Sequence, residues 1–385
     1  MILRFGFRNF LSFEEGVECS FESDLKNNAN TLLNIRGANG AGKTNLLKAL
    51  AFFMDFVANS FNLKPEAPTG VIPFYDSPQD TYFFVEFKTG GRCSNYTFLY
   101  ELSLTKDRVV SEKISRTNKR SIEVVSRLEN NIKTTAEFDE LKKIKLRTNA
   151  SLISCAHQNE ISALSDIYMI FSKVLANTTI SHSSMSIYLD CAENYGKDIL
   201  SIISEIYYDD ALLFSRVKKF ILESDIGICD IKITKEQSIA GKDVFVPIFY
   251  HKYNGKVYSL SYGEESRGTQ FLYSNLRYFL LVCNSAHALL VFDELDMSLH
   301  PFLVKKLLTL FNQENDDNAC GQMIFTAHDT SIMDDLKADK SFFLNKKDNE
   351  SFGYRADECP SSLVRKNRSL RTPYEQGRIG GVPKI

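Results

Sequence analysis

Residues 37–44 read GANGAGKT, a fit to G-x-x-x-x-G-K-[ST], and no other stretch restricts the possible folds so sharply. Its glycines let the backbone curl and turn several N–H groups toward one point, while the lysine adds a charge and the threonine a hydroxyl. Such a loop needs a strand to deliver the chain and a helix to leave it, because the helix then aims its positive dipole end at the bound anion. Both neighbours are present: residues 31–35 are a short apolar run, and residues 45–57 are apolar at helical spacing. An α/β nucleotide-binding unit is expected. Its candidate binding residues are Gly37, Ala38, Asn39, Gly40, Ala41, Gly42, Lys43, Thr44 and Asn45, with Lys43 on the β and γ phosphates and Thr44 on Mg²⁺.

A second motif supplies what a phosphate loop lacks. Residues 288–294, ALLVFDE, run five apolar residues into two acids, the pattern of a central parallel strand ending at a site. Asp293, at the strand's carboxyl end, is placed to hold Mg²⁺. Glu294, one residue on, is placed to polarise an attacking water. ATP and Mg²⁺ are the ligands this pair of motifs implies.

The chain of 385 residues is long enough for two domains, or for one large domain with an insertion. Residues 82–104 carry two strand-like runs separated by KTGGRC, a hairpin. Between residues 111 and 235 glycine is scarce, and three stretches have helical spacing: 126–146, 164–175 and 193–224. No heptad persists long enough for a coiled coil. The expected organisation is an N-terminal part over 1–110 with the phosphate loop, a compact, mainly helical insertion over 111–235, and an α/β part resuming over 236–385. Eight scattered cysteines form no CxxC pair and no zinc spacing, which fits a reducing compartment. The net charge of −2 does not point to nucleic acid, and no uncharged apolar run approaches the ~20 residues that cross a bilayer. A cytoplasmic protein without a membrane partner is expected.

At this point the motifs resemble those of ABC-type ATPases, the class of transporter motors, SMC proteins and RecF-like repair proteins. The string FDELDMSLHP resembles Walker B followed by a D-loop, with Ser298 as the D-loop serine. QMIFTAHDT resembles the switch segment and puts His328 against the γ-phosphate. LSYGEESRGTQ resembles the signature motif in two registers, Ser261 to Glu264 or Ser266 to Thr269. The second is preferred because it leads straight into the apolar helical stretch 269–283, which makes Ser266 and Gly268 candidate binding residues. The fold implied is an ABC ATPase head with an N-terminal antiparallel β subdomain. Glu294, His328 and Lys43 would carry catalysis.

Four further strings, NFLSFEE, ESRGTQ, DEL with SLHP, and LRTPYEQGRIGGVP, resemble the stand-alone RloA- and OLD-related branch over residues 1–105 and 220–385. That resemblance implies a regulatory ATPase of anti-phage defence or abortive infection. It would act as a homodimer or higher homo-oligomer, with a separate effector such as a nuclease, triggered by DNA or a phage protein. The alternative is an SMC- or RecF-like ATPase acting on DNA in repair. Some residues stay open between a functional and a bland reading. Gln79 is a lid glutamine or a surface residue; Arg8 and Asn9 lie near adenine or in a solvated turn; Arg378 is an interface contact or part of a closing strand edge. The basic stretch 113–119 is expected to be a solvated helix face, and His300 to order the turn into the next helix.

Overall fold

The computed structural model describes residues 1–22, 29–90, 96–178, 197–224, 227–238, 241–311, 320–360, 364 and 369–381. In chain order the first elements are β1 (Ile2–Arg8), β2 (Val17–Ser20), β3 (Leu32–Gly37), α1 (Lys43–Asn59), β4 (Thr81–Lys88), β5 (Thr97–Leu104), β6 (Val109–Thr117), β7 (Ser121–Leu128) and β8 (Asn131–Thr134). Then come α2 (Leu152–Gln158), α3 (Ser165–Ser172), β9 (Val174–Ala176), α4 (Lys197–Asp209), α5 (Ala211–Leu222), β10 (Ile228–Gln237), β11 (Asp243–Tyr253) and β12 (Lys256–Ser261). The chain closes with α6 (Arg267–Cys283), β13 (Leu289–Phe292), α7 (Pro301–Thr309), β14 (Gln322–Thr326), β15 (Ser341–Lys347), β16 (Glu350–Arg355) and α8 (Arg371–Glu375). Two compact units result: residues 1–188 with 282–294 and 311–385, and residues 189–281 with 295–310.

The first unit holds two sheets. One is antiparallel, in the order β2-β1-β4-β5-β6-β7-β8; the other is mixed, in the order β16-β15-β3-β14-β13-β9, with only β16 antiparallel to its neighbour. Burial alternates strictly along β4 and β5, so each presents one face to the core. Helix α1 fills that core: from Leu46 to Ala58 every residue but Lys48 is buried, and the buried Asp55 accepts from the Asn59 amide at 2.9 Å. Its Phe53 stacks on Phe83 of β4 at 5.1 Å and on Tyr100 of β5 at 5.9 Å. The same cluster takes in Leu33 of β3, Val291 of β13 and Ile324 of β14. The class is α/β, as the phosphate loop implied.

The helix expected over residues 126–146 does not form. Strand β7 ends at Leu128, Glu129 takes a left-handed φ of 52°, and β8 follows at once. Residues 136–143 then make only 3₁₀ turns. Their charges, spaced like a helix face, belong instead to an exposed edge strand and its flank, where charge discourages further pairing. The basic stretch 113–119 is likewise strand rather than helix: most of it lies in β6, where Lys113 pairs with Glu123 at 3.4 Å and Arg116 with Glu137 at 2.6 Å. This sheet is pinned by a buried ion pair. Glu112 of β6 meets Arg127 of β7 at 3.0 Å, and also accepts from the Tyr100 hydroxyl at 2.7 Å and from Leu152 N–H at the start of α2. Burial, then the Glu112 charge, push the Tyr100 phenol well above its ordinary range.

In the second unit β10, β11 and β12 form an antiparallel sheet accompanied by α4, α5, α6 and α7. Tyr207 of α4 donates to the Tyr273 carbonyl of α6 at 2.7 Å, and Lys306 of α7 lies 4.5 Å over the Phe220 ring of α5. Among the described residues the longest helices, α1 and α6, have 17 residues each, and none is long and apolar enough to cross a membrane.

Candidate functional site

Strand β3 delivers Gly37 to the loop and α1 begins at Lys43. Two intervening glycines, Gly40 at φ 78° and Gly42 at φ 105°, hold the left-handed turns that curl the backbone. The Lys43 ammonium arches back over this loop and donates to the carbonyls of Gly37 at 2.8 Å and Ala38 at 3.2 Å. The cation and the first amides of α1 therefore converge on one concave turn, an anion cradle. Asn45 points elsewhere: its amide donates to Ser12 Oγ at 2.9 Å, and the same oxygen accepts from Ser351 Oγ at 2.9 Å. Asn39 and Gly40 are exposed, while Ala41 is buried.

Asp293 sits at the carboxyl end of β13, two strands from β3 in the parallel sheet. Its Oδ2 accepts the Thr44 hydroxyl at 2.6 Å and its Oδ1 the Thr326 hydroxyl at 2.5 Å. Two motifs 249 residues apart in sequence thus share one hydrogen bond. Glu294 turns left-handed at φ 55° and carries its half-exposed carboxylate toward His328, with Oε1 3.9 Å from Nε2. The carbonyls of the residues on either side of His328 are held by Arg36 of β3, whose buried guanidinium donates to Ala327 O at 2.8 Å and Asp329 O at 2.7 Å. Asp329 also caps the next turn through Ser331 N–H at 2.8 Å, so the capping role and the position beside Glu294 coexist.

The second unit contains the other candidates. Ser266 stands immediately before α6 and accepts from Thr269 N–H at 3.2 Å, an N-cap. Ser261 instead donates to the Glu264 carboxylate at 2.8 Å, at the edge of a 3₁₀ turn. Gly268 lies close against the D-loop: a Cβ there would stand 3.2 Å from the Ser298 carbonyl. Ser266, Gly268 and Ser298 therefore form one local group. His300 accepts from Phe302 N–H at 3.3 Å and caps α7, the ordering role expected of it.

The family described as "AAA domain, putative AbiEii toxin, Type IV TA system" matches residues 35–334, well over half of the chain. The chain belongs to this AAA-domain family. No curated protein matches it. Among solved structures it is similar to an SMC head bound to the C-winged helix domain of ScpA, at 14% identity and a TM-score of 0.48, covering 92% of this chain and 96% of that one. It is similar also to the SMC head domain from Thermotoga maritima, at 13% identity and a TM-score of 0.44, covering 92% and 98%. The ATP-bound recombination mediator RecF matches at 13% identity and a TM-score of 0.36, covering 92% and 97%.

Within this AAA-domain chain the residues left open fall as follows. Asn9 is buried, and its amide is used internally, donating to the Gln79 carbonyl at 2.7 Å and accepting from Phe74 N–H at 3.2 Å. Gln79 is exposed, and Arg8 lies 5.3 Å over the Tyr82 ring. Arg378 is exposed. The glycines around it dock the tail on the parallel sheet: Gly381 N–H donates to Asn345 at 2.8 Å, and the Tyr354 hydroxyl donates to the Ile379 carbonyl at 2.6 Å. Sequence reasoning missed Arg36, Asn177 and Thr326. Thr326 carried a signal, as a hydroxyl at the end of the strand before His328. Asn177 carried none.

Proposed function

We propose that this AAA-domain chain is an ATP-hydrolysing, ABC-type regulatory subunit. The observation that carries the reading is the Thr44–Asp293 bond at 2.6 Å with Glu294 and His328 beside it, next to a loop spanned by Lys43. Lys43 meets the phosphate charge, Glu294 orients a water and takes its proton, and His328 contacts the γ-phosphate. Positioning and charge stabilisation account for most of the gain in such a reaction. The donor set fits Mg²⁺: a hydroxyl and a carboxylate are hard oxygen ligands, and among the described residues there is no cluster of three acids or imidazoles that would cage the ion. Thr44 and Asp293 would hold it, where it neutralises phosphate charge.

Each site is completed by Ser266, Gly268 and Ser298 of a second copy. Beside Ser298, Met297 and Phe302 are 80% and 73% exposed, an apolar flank suited to burial between copies. In this reading the protein acts in the cytoplasm in anti-phage defence, where nucleotide state switches a separate effector such as a nuclease; the family's description, which names a putative AbiEii toxin of a type IV TA system, is in keeping with a defence role.

The test mixes two variants that are each inactive alone, Lys43→Ala and Ser266→Arg. About half of randomly assorted dimers are mixed and keep one of two sites, so an equal mixture recovers about a quarter of wild-type turnover. If no ratio restores activity after confirmed subunit exchange, the shared site is refuted. If Ser261→Arg behaves as Ser266→Arg should, the site stands with the other register.

A further inference from the structure

Three backbone groups at the end of β13 are held by two side chains: Asn177, which lies outside every motif, and Thr326, which lies within QMIFTAHDT but is given no role there. Asn177, immediately after β9, carries the ladder one residue beyond Ala176 with its side chain: Oδ1 accepts Asp293 N–H at 2.6 Å and Nδ2 donates to the Asp293 carbonyl at 2.9 Å. From the opposite side Thr326, fully buried at the end of β14, accepts Glu294 N–H at 2.7 Å while donating to Asp293 Oδ1 at 2.5 Å. Glu294 is thereby held at a φ of 55°, a conformation that costs a side-chain-bearing residue about 1–2 kcal/mol. A free peptide there would relax toward extended backbone and swing the carboxylate away from His328.

We propose that Asn177 and Thr326 are positioning residues for the hydrolytic step: together they clamp the Asp293–Glu294 peptide so that the glutamate side chain leaves the sheet on the water-activating side. The inference rests on the hydrolytic reading above. Both act on the hydrolytic acids rather than on nucleotide. Thr326 couples the two acids through one hydroxyl, and Asn177 fixes the main chain from which Asp293 reaches Thr44.

The experiment uses the full-length chain with Thr326→Val, Thr326→Ser and Asn177→Asp. Asn177→Asp keeps the size and one acceptor but sets an oxygen against the Asp293 carbonyl. Three quantities are measured: kcat, MgATP affinity, and deuterium uptake at the Asp293 and Glu294 amides. Thr326→Val and Asn177→Asp should lower kcat about 10- to 100-fold, the range typical of groups that orient a reacting ligand, with MgATP affinity changed less than about threefold. Thr326→Ser should stay near wild type, and in a Glu294→Gln background the valine should cause no further loss. Deuterium uptake at Glu294 should rise in the valine variant. A kcat within about twofold of wild type in both disruptive variants overturns the clamp, as does a kcat loss matched by an equal loss of affinity. If wild type binds MgATP without turnover, the hydrolytic reading fails. In that case unchanged uptake at Glu294 in Thr326→Val also overturns the clamp, while raised uptake shows that it holds the turn. Should the valine variant fail to fold, Asn177→Asp and Thr326→Ser decide.

Discussion

The two left-handed glycines of the phosphate loop should respond differently to the same added methyl group. At Gly42 the backbone is at φ 105°, and an added Cβ would lie 2.5 Å from Ser351 Oγ and 3.0 Å from Ser351 Cβ. Left-handed backbone costs about 1–2 kcal/mol and the overpacking about 1–3 kcal/mol more, so Gly42→Ala should lose about 2–5 kcal/mol. Gly40, at φ 78°, has nothing within 4 Å of an added Cβ and should lose only the backbone part. For a unit of this size about 2–4 °C accompanies each kcal/mol, so Gly42→Ala should lower the thermal midpoint by about 4–20 °C and Gly40→Ala by no more than about 8 °C. Ser351→Gly separates the two contributions. In that background only Ser12 Oγ, 3.1 Å from the added Cβ, remains close, and Gly42→Ala should lose clearly less than it does beside Ser351. Thermal scans without nucleotide read all four variants. Equal losses at both glycines, or no relief from Ser351→Gly, would refute the reasoning.

Glu112→Ala strands the buried Arg127 charge and should cost about 3–5 kcal/mol by chemical denaturation, whereas the double replacement Glu112→Leu with Arg127→Met should recover much of it; a single-variant loss under about 1 kcal/mol would refute the pinning role. Burial, and then the positive charges of the amino terminus and Lys173, push His287 down from 6.5 to about 4. The unfolded chain therefore binds this proton first as pH falls. Stability from this residue is whole above pH 6.5 and is lost as pH falls from 6.5 toward 4. Denaturation midpoints across that window should fall less steeply in His287→Gln, and an unchanged slope would refute the assignment.

How much of the site was legible follows from where its residues lie. Gly37–Thr44 and the run into Asp293 and Glu294 were read directly, because each motif is contiguous and its chemistry local. His328 was singled out from its place one strand later, and its Nε2 lies 3.9 Å from Glu294 Oε1. Arg36, Asn177 and Thr326 act through the sheet instead: Asn177 meets Asp293 116 residues away and Thr326 meets it 33 residues away, by virtue of parallel register alone. Asn9 shows the converse. Its position left a place near adenine or a solvated turn open, and the residue is buried with its amide bonded to the loop that carries Gln79.

Local patterning by itself determined the α/β class, the phosphate loop, helix α1 and the acid pair, since periodicity and hydrogen-bonding chemistry within a few residues suffice for each. Only the tertiary structure decided that residues 121–134 are strands. Their charges, spaced as on a helix, say nothing about β6, against which β7 pairs, and the ladder bonds and the buried Glu112–Arg127 pair exist only once the sheet is assembled. It also decided that the tail lies beside the phosphate-loop strand, where a Cβ on Gly381 would be 3.6 Å from Gly37 Cα. Contacts of that kind depend on loop closure over hundreds of residues, and the free energy that selects among such closures resides in the packed core rather than in any short window of sequence.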